Sequence, residues 1–112
     1  MHIEFARSGG FAGLRLSVII DTEDLPKEQA STLESMIKDS DFFELPEKII
    51  PPSPLPDRFE YHVVISDDQA EHSIVASEAV VPERLKPLLN LLTTLAIAGK
   101  GTDPQQKSNI KK

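Results

Sequence analysis

Two stretches of alternating apolar and polar residues near the N-terminus predict a pair of strands. Residues 2–7 and 14–20 both show a two-residue period, which places successive side chains on opposite faces of a sheet. The apolar face is formed by Ile3, Phe5, Leu14, Leu16, Val18 and Ile20. Residues 8–13 between them hold three glycines, which permit positive φ and close backbone approach, so they are predicted to connect a hairpin.

Two other stretches follow a helical period. Asp24 is a suitable N-cap and Pro26 suits a first turn, so a helix is predicted over residues 25–39, with one apolar stripe. Its stripe comprises Ala30, Leu33, Met36 and Ile37. The last element, residues 82–98, is predicted to be a strongly amphipathic helix with Pro87 in or just before its first full turn. Its apolar face comprises Leu85, Leu88, Leu89, Leu92, Leu95 and Ala96.

A second hairpin and a proline-rich segment lie between these helices. Residues 58–66 and 72–77 alternate in hydrophobicity, and Asp67–Ala70 between them has the composition of a turn. Five of the nine prolines fall between positions 46 and 56. Because proline fixes φ, residues 41–57 are predicted to be a stiff loop, partly in polyproline II geometry.

These elements predict an α+β fold in the order ββαββα. The expected architecture is a two-layer sandwich, with a four-stranded, largely antiparallel sheet and both helices on one face. Residues 1–98 would form a single domain, and the lysine- and glutamine-rich residues 99–112 a disordered basic tail. Because the first helix returns the chain to the end that carries the glycine loop, the glycine loop 8–13, the proline loop 46–57 and the link 78–82 are predicted to converge at that end. The Asp67–Asp68 turn then lies at the other end.

Composition and charge exclude several classes of function. The 112 residues contain no cysteine, which excludes disulfides, zinc–thiolate sites and cysteine catalysis. The net charge is −6, and residues 1–98 alone carry eight basic and seventeen acidic groups, net −9. That sign disfavours nucleic acid and anionic membrane as partners. With no signal-peptide pattern and no long apolar run, the chain is expected to be cytoplasmic.

Histidines and carboxylates are the remaining candidates for chemistry, and neither predicts a catalytic or metal site. If Asp68 and Gln69 are the central turn residues, His62 and His72 face opposite sides of the sheet and cannot share an ion. His2 lies on another strand. The acidic groups around Asp21 and Asp67 lie in turn-forming segments, where capping explains them without catalysis. No cofactor is expected.

The glycine loop is the most distinctive segment. Its central residues are Ser8, Gly9, Gly10, Phe11 and Ala12. Phe11 either folds back as a lid on the core or protrudes as an anchor for a partner, since interface energy concentrates in a few buried anchors. The prolines of the second loop favour the anchor, because they lower the entropy lost when a loop is ordered on binding.

The segment Ile3–Leu14, IEFARSGGFAGL, resembles the N-terminal signature of emfourin-type proteins. Further matching motifs are Asp24–Pro26, Phe42–Pro46, Pro54, Asp57–Tyr61 and Leu85–Leu89, so the likeness spans residues 1–98. The resemblance implies a small cytoplasmic bacterial protein that inhibits protealysin-like metalloproteases, members of the thermolysin family, by tight competitive binding. Composition and spacing alone indicate only a small binding module.

The implied inhibition suggests roles for two loops. In this hypothesis residues 8–13 enter the protease cleft, Phe11 fills an apolar subsite, and Gly9 and Gly10 allow close approach. Secondary contacts would come from Pro54, Leu55, Pro56 and Asp57. Alternatively, the glycines serve backbone geometry only, or Asp57 approaches the zinc.

Two other classes of function stay open, a non-inhibitory protease-binding or maturation partner and a small enzyme. The free protein is expected to be a monomer, since no heptad seam or swap-prone edge stands out.

Overall fold

A five-stranded sheet with two helices on one face is formed by residues 1–9, 15–52 and 58–98, which a computed structural model describes. The strands are β1 (His2–Gly9), β2 (Leu16–Asp21), β3 (Lys48–Ile49), β4 (Phe59–Ser66) and β5 (Glu71–Ser77). The helices are α1 (Lys27–Asp39) and α2 (Lys86–Ala98). Short 3-10 turns occur at Thr22–Asp24, Phe42–Glu44, Glu78–Val80 and Glu83–Leu85. The predicted tail, residues 99–112, lies outside the described residues.

The sheet has the order β2-β1-β4-β5-β3, and this corrects the prediction of four strands in the order ββαββα. The predicted α+β class and the two hairpins are confirmed, but β3 is an additional strand that pairs parallel to β5 and makes the sheet mixed. A strand of two residues is too short to show alternation. It also lies in the segment whose prolines predicted an irregular loop.

The start of α1 differs from the sequence prediction. Pro26 occupies the N-cap position and makes no side-chain capping bond, whereas Asp24 belongs to the preceding 3-10 turn. That turn is capped by Asp21, whose carboxylate accepts the Glu23 N–H at 3.2 Å. Asp21 therefore caps the 3-10 turn. Asp24 is the last residue of that turn and does not cap α1.

One hydrophobic core lies between the sheet and the helices. The strands contribute alternate residues, among them Ile3, Phe5, Val18, Ile20, Val63, Ile65, Ile74 and Ala76. The helices contribute Leu33, Ile37, Leu88, Leu89, Leu92 and Leu95. The predicted apolar stripes are thus the buried ones, with Ala30 and Met36 only half-buried. None of the helices described in these ranges is long and apolar enough to cross a bilayer.

The turn between β4 and β5 has the predicted register. His62 pairs with Val75 and His72 pairs with Ile65. The Asp67 carboxylate accepts the N–H groups of Gln69 and Ala70 at 2.8 and 2.9 Å. The hairpin is therefore closed by an Asx-type turn, as its composition predicts.

Candidate functional site

The residues that flank the glycine and proline segments meet at one end of the sheet. Gly9, the last residue of β1, pairs with Phe59, the first residue of β4. Glu60 pairs with Ser77, so the link that follows β5 begins at the same level. We call this end the loop end, defined by Ser8–Gly9, Ile50–Pro52, Arg58–Phe59 and Glu78–Val80.

Strand β3 completes the return of the chain to the loop end. His72, near the start of β5, contacts the backbone carbonyl of Leu45 through Nε2 at 2.7 Å. From there β3 runs parallel to β5, and Ile49 reaches the level of Ala76. The prediction that α1 alone brings the chain back was therefore incomplete, because the final part of the rise is made by β3.

Only part of the predicted site lies within the described residues. Ser8 and Gly9 do, at the end of β1. The remaining predicted residues, Gly10, Phe11, Ala12, Pro54, Leu55, Pro56 and Asp57, lie outside them. Whether Phe11 is a lid or an anchor, and whether Asp57 approaches zinc, stay predictions.

A cavity of about 250 Å³ lies between the ends of the two segments. It is lined by Ser8, Gly9, Ile50, Pro51, Arg58, Phe59, Glu60 and Ser77. The lining thus comes from the start of the glycine segment, from the chain before and after the proline segment, and from the end of β5. The two segments leave the sheet from the rim of one shared depression.

Gly9 is required at this rim by its backbone geometry. Its φ is +99°, a conformation that L side chains rarely adopt. A Cβ atom at this position would also lie 2.7 Å from the Arg58 carbonyl oxygen. For Gly9, this supports the alternative that the glycine is needed for its backbone conformation.

A second cavity, of about 530 Å³, opens on the helix side of the loop end. It is lined by Arg58, Tyr61, Glu78, Ala79, Val81, Lys86, Leu89 and Asn90. Burial raises the pKa of the Tyr61 phenol and the Glu78 carboxylate raises it further, while Arg7 opposes them through its charge and a hydrogen bond. Arg58 lines both cavities and separates them.

Exposed apolar side chains are concentrated at the loop end. Among the described residues, the large hydrophobic side chains left exposed are Ile50, Val80 and Ile97, at 49%, 42% and 69% exposure. Ile50 follows β3 and Val80 ends the turn after β5, so both lie at the loop end. Ile97 lies eleven residues beyond the start of α2, which is about 16 Å along a helix axis.

The histidines do not form a metal site within the described chain. His62 contacts Glu60 and His2 contacts Glu4, each at 3.2 Å, whereas His72 is turned to the core face beside Phe42. No group of three or more potential ligands occurs among residues 1–9, 15–52 and 58–98. The register of β4 and β5 places His62 and His72 on opposite faces of the sheet, as predicted.

Sequence reasoning placed the link 78–82 and the proline loop 46–57 at this end, but it did not single out Glu78, Val80 or Ile50 as contributors to the loop end. The predicted convergence of the link 78–82 with the two loops was the available signal. The composition of that link, however, does not distinguish a connecting turn from a contact surface. Ile50 was hidden because β3 was not predicted.

A comparison with protein-family models decides the family. The emfourin model matches residues 5–93, which include β1 from Phe5 onward, all of β2 to β5, and most of α2. The chain belongs to the emfourin family. No curated protein and no solved structure matches the chain.

Membership of the emfourin family confirms the resemblance that the sequence motifs predicted. The match begins within β1 and includes both ends of the glycine and proline segments. The emfourin family is a family of inhibitors, so membership suggests a metalloprotease-inhibitor role. The loop end is accordingly the part of this emfourin-family chain that best fits a binding surface.

Proposed function

We propose that the chain is a competitive inhibitor of a protealysin-like zinc metalloprotease of the thermolysin family. The glycine segment, residues 8–13, enters the active-site cleft, and Phe11 fills an apolar subsite beside the scissile position. The proline segment, with Pro54, Leu55, Pro56 and Asp57, widens the contact. The partner is a protease of the bacterial cytoplasm, and the inhibitor binds it as a monomer.

The observation that carries this proposal is the shared rim at the loop end. Ser8 and Gly9 line the same cavity as Pro51, Arg58 and Phe59, so the two segments start from neighbouring points. A stable interface buries about 800 Å² on each partner. A single six-residue segment does not supply that area, and two adjacent segments come closer to it.

Inhibition in this scheme results from occlusion of the cleft. The chain has no cysteine, and His62 and His72 lie on opposite faces of the sheet, so they cannot bind the protease's zinc as a pair. A backbone held in the cleft at Gly9 and Gly10 excludes substrate without a zinc ligand from the inhibitor. Approach of Asp57 to the zinc is the alternative within the same proposal.

The test is a titration of a protealysin-like protease with the wild-type chain and variants. Phe11→Ala, Gly10→Asp and Leu55→Ala should each weaken inhibition by more than about tenfold, or roughly 1.4 kcal/mol. Gln69→Ala, in the turn at the opposite end, is the matched control and should inhibit like wild type. Circular dichroism first establishes that each variant is folded.

Two results would reject parts of the proposal. Unchanged inhibition by Phe11→Ala and Gly10→Asp removes the glycine segment as the anchor. A complex that forms while hydrolysis of a small peptide substrate continues excludes competitive inhibition. It would indicate the alternative function, a non-inhibitory binding or maturation partner.

A further inference from the structure

Four side chains at the loop end connect the start of the glycine segment, at Gly9, with the end of the proline segment, at Arg58. We call these two points the origins of the segments. Arg7, two residues before Gly9, is directly opposite Tyr61 in the β1–β4 ladder. Its guanidinium carbon lies 4.1 Å from the centre of the Phe59 ring, within cation–π range. Glu78 completes the group from the link after β5. We call Arg7, Phe59, Tyr61 and Glu78 the root cluster.

Glu78 attaches the link after β5 to the start of β4. Its Oε1 accepts the Phe59 backbone N–H at 3.1 Å. The turn that carries Glu78 is itself fixed, because Ser77 Oγ accepts the Ala79 N–H at 3.2 Å. The link after β5 is therefore hydrogen-bonded to the backbone at Phe59.

The two charges of the root cluster act on the same phenol. Arg7 donates a hydrogen bond to Tyr61 and lowers its pKa, whereas Glu78 raises that pKa by its negative charge. Arg7 lies directly opposite Tyr61 in the β1–β4 ladder, and Glu78 lines the same cavity as Tyr61. The ring of Tyr61 also packs against Phe5 of the core, with centroids 6.1 Å apart.

We propose that Arg7 and Glu78 are positioning residues that hold the origins of the glycine and proline segments at fixed points for binding to the protease. This inference rests on the proposed inhibitory function. The Phe59 ring contacts the Arg7 guanidinium, and the Phe59 backbone N–H donates a hydrogen bond to the Glu78 carboxylate. The backbone carbonyl oxygen of the neighbouring Arg58 lies beside Gly9, 2.7 Å from where a Cβ atom of that residue would be.

Fixed origins strengthen inhibition by reducing the cost of association. A loop whose ends are already placed loses less conformational freedom when it enters a cleft. In this proposal Arg7 and Glu78 act through the ring and the backbone N–H of Phe59, so their effect on binding is indirect. A variant that releases Phe59 should weaken inhibition without removing a contact to the protease.

The experiment compares variants of Glu78 and Arg7 in protease inhibition. Glu78→Ala removes the acceptor for the Phe59 N–H and should weaken inhibition roughly fivefold. Glu78→Gln keeps an amide oxygen at that position and should inhibit like wild type. Arg7→Met keeps an apolar stem of similar length, loses the cation–π contact and should weaken inhibition in the same direction.

Glu83→Ala is the matched control for charge. It removes an exposed carboxylate from the neighbouring turn, where Glu83 pairs with Lys86 at 2.8 Å, and leaves the root cluster intact. Exchange of the Phe59 amide proton, followed by NMR in the free protein, should accelerate in Glu78→Ala and not in Glu78→Gln or Glu83→Ala. The thermal unfolding midpoints of these variants should stay close to that of wild type.

The outcomes separate this inference from the function on which it rests. Full inhibition by wild type and Glu78→Ala alike overturns the positioning role and leaves the proposed function standing. Equal losses in Glu78→Ala and Glu83→Ala overturn it too, because they would show a general effect of charge. A wild-type chain that inhibits no thermolysin-family protease overturns the proposed function itself.

Discussion

Replacing Gly9 by alanine should destabilise the fold measurably, because two independent constraints meet at this residue. Its φ of +99° lies in the region that L side chains avoid, which costs about 1–3 kcal/mol. The added Cβ would lie 2.7 Å from the Arg58 carbonyl oxygen, where only backbone can yield. Overpacking of this kind costs about 1–3 kcal/mol.

Together these costs predict a loss of about 2–6 kcal/mol in the free energy of unfolding. Domains of this size are stable by roughly 5–15 kcal/mol, so a domain near the middle of that range stays folded after this loss. Each kcal/mol lowers the melting temperature of a small domain by about 4–8 °C. Gly9→Ala should therefore melt at least about 8 °C below wild type.

The assay is urea unfolding followed by circular dichroism, with Ser8→Ala as the neighbouring control. Gly9→Asn separates the two constraints, because asparagine tolerates positive φ but carries the same Cβ. We expect Gly9→Asn to be destabilised as well. A Gly9→Ala variant within about 0.5 kcal/mol of wild type would refute the steric reasoning, since changes of that size are ordinary for surface substitutions.

Three further predictions concern single side chains. Tyr61 is the one tyrosine of a chain without tryptophan, so its ultraviolet absorbance should titrate with a midpoint above about pH 10, and Glu78→Gln should lower that midpoint. An unchanged midpoint would show that the charge of Glu78 does not raise the pKa of the Tyr61 phenol. The pKa of Asp67 is lowered by the N–H groups it accepts, so its stabilisation is present at neutral pH and is lost as pH falls below about 4. Asp67→Ala should flatten the acid dependence of unfolding, and Asp68→Ala should not. Ile50→Ser should weaken protease inhibition roughly fivefold, since burying its exposed half is worth about 1 kcal/mol, whereas an equal loss in Ile97→Ser would argue against the loop end.

The antiparallel part of the fold could be predicted because each of its strands carries its own signal. Ile3 and Phe5, or Val63 and Ile65, are buried on the face that their alternation indicated. The β4–β5 register followed from the turn, since a hairpin turn fixes the pairing of the strands it joins. Such information is local in sequence.

What the sequence could not predict depends on contacts between distant segments. Strand β3 exists because Lys48 and Ile49 meet Val75 and Ala76, residues more than twenty positions away. Two residues among prolines carry no periodic pattern of their own. The N-cap prediction failed for a related reason, because the turn before α1 already used the acidic residues for its own capping.

The same difference between local signals and contacts of distant segments applies to the candidate site. The convergence of the segments at the loop end followed from the number and direction of the strands. The root cluster did not, because nothing in the sequence marks Glu78, an exposed glutamate in a short link, as a partner of the Phe59 backbone. Its role depends on the 3.1 Å contact, which only the tertiary structure brings about.

Strand β3 also explains how a chain of this size can present two segments side by side. Without it, the proline-rich segment would leave from the level of Leu45 and His72, toward the other end of β5. The parallel pairing of Ile49 with Ala76 instead carries it up to Pro51, on the rim that Gly9 shares. Two segments that start from one rim can enter one cleft, whereas segments that start at opposite ends of the sheet cannot. The short strand β3, which the sequence did not predict, is therefore the element on which the proposed two-segment surface depends.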